Sequence, residues 1–244
     1  MFINTIENIK KRIVFKYTGN FYICSKKDFE LFFINTTKNI IDMYNIKYFP
    51  KKITIKFESK KYKGNNTNYS YGGTWDNIFD CRKKGVVPKL LLQAWNLPEN
   101  MYNFFLETTV VHEIFHLFIP GIIYKDGTGN ACFSEGFVEF LTYKYNDKLS
   151  NIFKKYSEYN KIKNKNYKQH KFPYIFTPYY MYKRFIREPD KINNLINNMI
   201  YNFNNNYINY YKKYTKKDII KYDKLFKKLF TKKCDNHITR KLIK

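Results

Sequence analysis

Residues 109–121, TVVHEIFHLFIPG, constrain the fold more than any other stretch of this chain. Two histidines and a glutamate interrupt an otherwise apolar run. The flanking Val110, Val111, Ile114 and Leu117 suit a helix buried in a core. A buried imidazole or carboxylate is costly unless it is hydrogen-bonded, paired or bound to a metal. The fold must therefore give His112, Glu113 and His116 partners. The wider segment PENMYNFFLETTVVHEIFHLF (98–118) predicts one long helix, with Asn96 as a cap and Pro120-Gly121 as its stop.

Before this helix the pattern is strand-rich. RIVFKY (12–17) and NFYICS (20–25) have strand composition, with Gly19-Asn20 as a turn between them. KKDFELFFINTTKNIIDMYNI (26–46) repeats its apolar residues at helical spacing, and Ser25 or Asp28 can cap it. KITIKFES (52–59) alternates Ile53, Ile55 and Phe57 against polar residues, the mark of a half-buried strand. Residues 60–70 form a polar loop. YGGTWDNIF (71–79) predicts a glycine-loosened edge strand, and VPKLLLQAW (87–95) another strand. After the HExxH segment, CFSEGFVEFLTYKYND (132–147) predicts a helix, followed by helices near 149–160, 178–187, 190–203 and 216–232, with a loop at 164–173. The fold class is α+β. One domain spans 1–244, sheet-rich over 1–97 and helical over 98–244.

Composition limits the partners. At 44% hydrophobic the chain is globular, and no apolar run reaches the ~18–20 residues that span a bilayer. The start, MFINTIENIKKRIVFKY, lacks a basic segment followed by an apolar core, so a cytoplasmic location is expected. Cys24, Cys81, Cys132 and Cys234 are spread without a CxxC pair, which predicts free thiols. The net charge of +25 could attract nucleic acid. The lysines are scattered, however, and Lys, Asn, Ile, Tyr and Phe are raised together, as AT-rich coding would produce. Nothing in the sequence indicates the oligomeric state.

On a helix His112 and His116 lie about 40° from eclipsed, so both rings leave one face and can bind a single Zn2+. Glu113 sits about 100° round, where a carboxylate can take a proton from a water at the metal. Catalytic zinc wants three protein ligands and an open position, so a third must come from elsewhere. Cys132 and His170 are residue types that can ligate, but the first suits apolar packing and the second sits in a polar, Lys-rich segment. His237 lies in the basic C-terminal region.

Eighteen residues separate His116 from Glu135 in FSEGFVEFL. HExxH, that interval, and then Glu within Ser-Glu-Gly-Phe resembles the gluzincin metallopeptidases, the aminopeptidase-N-type and thermolysin-like group. The motif resemblance covers about 112–139, and the element order extends it over most of 12–187. It implies a thermolysin-like zincin domain, a zinc-dependent metallopeptidase with a peptide or protein substrate, and one Zn2+ per chain. It further implies Glu135 as the third ligand beside His112 and His116, and Glu113 as general base. Glu139, one turn beyond Glu135, would orient His112 from behind. YIFTPYYMYKRF (174–185) resembles the family's Tyr-x-x-x-Pro-Tyr segment, which implies Tyr179 as the oxyanion donor, with Tyr174 at the first tyrosine and Tyr180 as the alternative donor. The Gly-x-Met-Glu-Asn motif of true aminopeptidases is absent. Its place falls near YGGTWDN, which has no glutamate and can instead pair as an edge strand with an extended peptide.

Two other functions remain open from the residues. One is a non-catalytic binding protein on a zincin scaffold, against which Glu113 argues, since zinc binding alone does not need it. The other is a basic, nucleic-acid-associated protease.

Overall fold

The computed structural model describes residues 5–47, 49–61, 68–76, 87–119, 131–161 and 172–205. The chain divides into two compact units, Met1–Phe118 and Ile119–Lys244. The helical stretch that ends at 118 thus groups with the sheet. The architecture is α+β, as the element pattern predicts.

In the first unit a short helix α1 (Ile6–Lys10), which the sequence reading does not anticipate, precedes strand β1 (Ile13–Gly19). Helix α2 (Lys26–Met43) follows, then β2 (Ile53–Lys60), β3 (Ser70–Asp76) and β4 (Lys89–Trp95). The strands lie in the order β1-β2-β4-β3. β1, β2 and β4 are parallel neighbours, and β3 runs antiparallel to β4 at the edge. The expected β-α-β opening and edge strand are both present. In β2 the alternation read from sequence is physical: Ile53, Ile55 and Phe57 are buried while Lys56 is exposed.

NFYICS is not a strand. Gly19 ends β1 at φ +77°, and a side chain there would run into the Ser59 carbonyl. The chain leaves the sheet at that point. Its aromatics pack instead of pairing: Phe21 lies edge-on to Phe57 at 4.8 Å and to Phe29 at 5.8 Å. The Tyr22 hydroxyl donates to the Ala94 carbonyl at 3.4 Å and accepts the Leu97 N–H at 2.8 Å. Strand composition here reflects burial.

Helix α2 begins where its cap predicts. Ser25 Oγ accepts the Asp28 N–H at 3.0 Å. Phe29 and Phe33 are fully buried, each edge-on to Phe15, at 6.1 and 5.8 Å. Such pairs add to the free energy of area burial. Ser25→Ala should cost about 1 kcal/mol of stability, read as a lower denaturant midpoint at unchanged slope. Cys24, just before the cap, is a free thiol, and burial together with Asp28 pushes its pKa up to about 11 against the pull of the Phe29 N–H.

The expected single helix over 98–118 is more complex. A 3-10 turn (Glu99–Met101) and one α-turn (α3, Tyr102–Phe104) lead into a π-helical segment, Phe105–Val110, and then helix α4, Val111–His116. Buried Phe105 and Val110 stand five residues apart, with the less buried Leu106–Thr109 between them. Five matches the wider π turn and not the α repeat. Pro98 occupies the cap position, and Asn96 lies before it in the left-handed region at φ 50°. Pro120-Gly121, the expected stop, lies outside the described residues.

The second unit is helical among the described residues: α5 (Ala131–Tyr145), α6 (Leu149–Asn160), α7 (Phe172–Phe185) and α8 (Pro189–Asn205). α7 packs on α5, α6 and α8. Phe137, Val138, Phe140 and Leu141 bury the inner face of α5, and Ile192, Ile196 and Ile200 that of α8 at intervals of four. α7 starts six residues earlier than expected and carries Pro178 in its interior, where one backbone N–H is missing. The expected helix at 216–232 and the residues 162–171 lie outside the described residues. No helix among the described residues is long and apolar enough to cross a membrane.

Candidate metal centre

Helix α4 is short and wholly inside the core. Val111, Ile114 and Phe115 are fully buried, so the residues between them are buried as well. His112 and Glu113 are 7% exposed and His116 9%. The two imidazoles leave one face as the i, i+4 spacing requires, and their Nε2 atoms stand 3.1 Å apart. Two nitrogens on one tetrahedral zinc, each ~2.0–2.1 Å from it, stand about 3.3–3.4 Å apart. The pair is therefore already near the separation that a shared ion demands.

Glu135 completes the group. His112, His116 and Glu135 each offer one ligand atom, and these atoms lie within 4.8 Å of one another. Two neutral imidazoles with one carboxylate form a donor set for a divalent transition metal, and three protein ligands leave one position open. The residues present fit a metal ion.

Glu113 leaves the helix towards the sheet. Its carboxyl group lies against Gly73 of edge strand β3: a methyl on the Gly73 Cα would fall within 2.6 Å of Glu113 Cδ and Oε1. Two residues on, the Trp75 indole N–H donates to the Glu113 backbone carbonyl at 2.8 Å. Positions 71, 73 and 75 share one face of β3 by the two-residue repeat. Tyr71, on that face, packs edge-on to Phe105 of the π segment at 6.0 Å. β3 is thus laid along the helical stretch by Tyr71 and Trp75, and Gly73 falls opposite Glu113. The Trp75–Glu113 contact spans 38 residues, and Gly73 and Trp75 are not among the residues expected at the site. The alternation of Tyr, Gly and Trp in YGGTW is the signal that could have pointed to them.

The remaining expected residues fall as follows. Glu139 Oε1 accepts from Lys155 Nζ at 2.6 Å. Burial would depress the Lys155 ammonium, but the Glu139 carboxylate and then the Tyr143 hydroxyl outweigh it and hold its pKa above the ordinary lysine range. Lys155 was not singled out in the sequence. Tyr179 stacks face to face on Tyr156 with centroids 3.5 Å apart, beside Phe153 at 6.1 Å. Burial, then Tyr156, raises its pKa. Tyr174 and Tyr180 lie on α7, but their side chains are not among those described, and neither is that of Cys132 on α5. His170, His237, Cys81 and Cys234 lie outside the described residues.

The chain matches no protein-family model, no curated protein and no solved structure.

Proposed function

We propose that this chain is a zinc-dependent metallopeptidase of the gluzincin type, on a thermolysin-like catalytic domain, with one Zn2+ per chain. The observation that carries the reading is the His112–His116–Glu135 group with the Glu113 carboxylate one residue from the first ligand. A structural metal site needs ligands alone. A buried glutamate beside a three-ligand group is a feature of hydrolytic sites.

His112, His116 and Glu135 would hold the zinc, which would supply a Lewis acid that polarises a carbonyl and lowers the pKa of a water. Glu113 accepts the proton of the attacking water and returns it to the leaving nitrogen, so one side chain serves as base and then as acid. Tyr179 is assigned the O–H that meets the oxyanion, and burial and then Tyr156 favour its protonated form. Glu139 is assigned to steady His112, with Lys155 fixing one of its oxygens. The outer edge of β3, which pairs with no further strand among the described residues and lies next to Glu113, is the surface on which an extended peptide would pair.

Digestion of a peptide library by the zinc-loaded protein tests the reading. Cleavage that stops on chelation and returns with zinc is expected. A protein that holds one zinc and cleaves nothing would instead be a binding protein on a zincin scaffold.

A further inference from the structure

We propose that Gly73 is a positioning residue for Glu113: position 73 lacks a side chain so that the Glu113 carboxylate can lie against β3. The usual reason for a glycine, a left-handed backbone, does not apply here. Gly73 sits inside a regular ladder opposite Leu92, and among the described glycines only Gly19 has a positive φ. Any residue could adopt that backbone, and in a strand interior glycine is the less stable choice by roughly 0.5–1 kcal/mol relative to alanine. What excludes a side chain is space. A methyl on Gly73 would meet Glu113 at Cδ and Oε1 within 2.6 Å and at Cγ closer still, and every one of those atoms belongs to the glutamate. The neighbouring Gly72 differs: a methyl there meets nothing within 4 Å. The two glycines share a strand, and only one of them is opposed by a functional side chain.

The backbone on the other side of the contact is pinned. Trp75 holds the Glu113 carbonyl at 2.8 Å, and Tyr71 packs on Phe105, so strand and helix cannot separate to admit a methyl. The glutamate side chain has to turn instead. Glu113 is 7% exposed, so it must turn within a packed site. A methyl at 73 therefore moves the carboxylate and leaves His112 and His116 where they are. The catalytic half of this inference rests on Glu113 being the general base, whereas the packing half does not.

A double-mutant cycle on stability, joined to kinetics, separates the two. Gly73→Ala should lower the Tm by about 3–10 °C, the usual range for overpacking in a chain of this size. Gly72→Ala should leave it within about 1 °C or raise it. In a Glu113→Ala background, which removes all three opposing atoms, Gly73→Ala should cost no Tm. On peptide substrate, Gly73→Ala should keep one zinc per chain and lower kcat by about 10²-fold with KM within about threefold, since a misplacement near 1 Å costs that much. An equal Tm loss in the Glu113→Ala background would overturn the inference, because Gly73 would then be serving some other contact. So would unchanged Tm and kcat in Gly73→Ala. If the wild type cleaves nothing while the stability cycle still shows coupling, the proposed function fails and the packing of Gly73 on Glu113 stands.

Discussion

Glu113→Gln should leave zinc at one per chain and lower peptide turnover by about 10²–10⁴-fold, the usual contribution of a positioned general base. Glutamine has nearly the shape of glutamate, so the contact with Gly73 and the Trp75 hydrogen bond to the backbone carbonyl are both kept. What is lost is the ability to accept a proton. The amide nitrogen can only donate, and the amide oxygen is far too weak a base. KM should change little, because the glutamate moves protons in the transition state and does not bind the peptide in the ground state. A Tm within about 2 °C of wild type, measured beside the kinetics, keeps a folding defect from passing as a catalytic one. A variant that turns over as fast as wild type would remove Glu113 from the chemistry.

His116→Ala should weaken zinc binding by about 10²–10⁴-fold, the share of one of three protein ligands in a total of roughly 10–16 kcal/mol. The consequence reaches stability. A ligand that binds only the folded state contributes about 2.7 kcal/mol at a hundred times its dissociation constant. Saturating zinc should therefore raise the wild-type Tm by about 5–10 °C and leave that of His116→Ala almost unmoved. Calorimetry with and without zinc checks both. An equal zinc response in the two proteins would place the metal elsewhere. The 3.1 Å between the two Nε2 atoms underlies this expectation, since at that separation both imidazoles can contact one shared ion.

Local signals carried well from sequence to structure. Alternation in ITIKF is a burial pattern, and the Ser25 cap marks the first turn of α2 where its hydrogen-bonding chemistry requires. His112, His116 and Glu135, singled out by spacing and resemblance, are the residues the structure gathers within 4.8 Å. Readings that depended on remote contacts carried less well. Phe21 and Tyr22 look like strand residues because they are large and half-buried, yet they pack on Phe57 and Phe29 and bond the Leu97 N–H without pairing as a strand. The π segment was hidden because LETT carries no breaker. Only the five-residue step from Phe105 to Val110 betrays it, and one step is too short to establish a period. The contact of β3 with Glu113 was legible only as the Tyr, Gly and Trp alternation of one strand face, which does not name the partner. Trp75 and Gly73 reach it through the sheet, and no spacing rule links an edge strand to a helix 38 residues on.

Metal analysis of the wild-type protein, equilibrated with zinc and then dialysed free of excess, decides whether His112, His116 and Glu135 form a zinc site. One zinc per chain is expected. Less than a tenth of that, from protein that remains folded, would rule the site out.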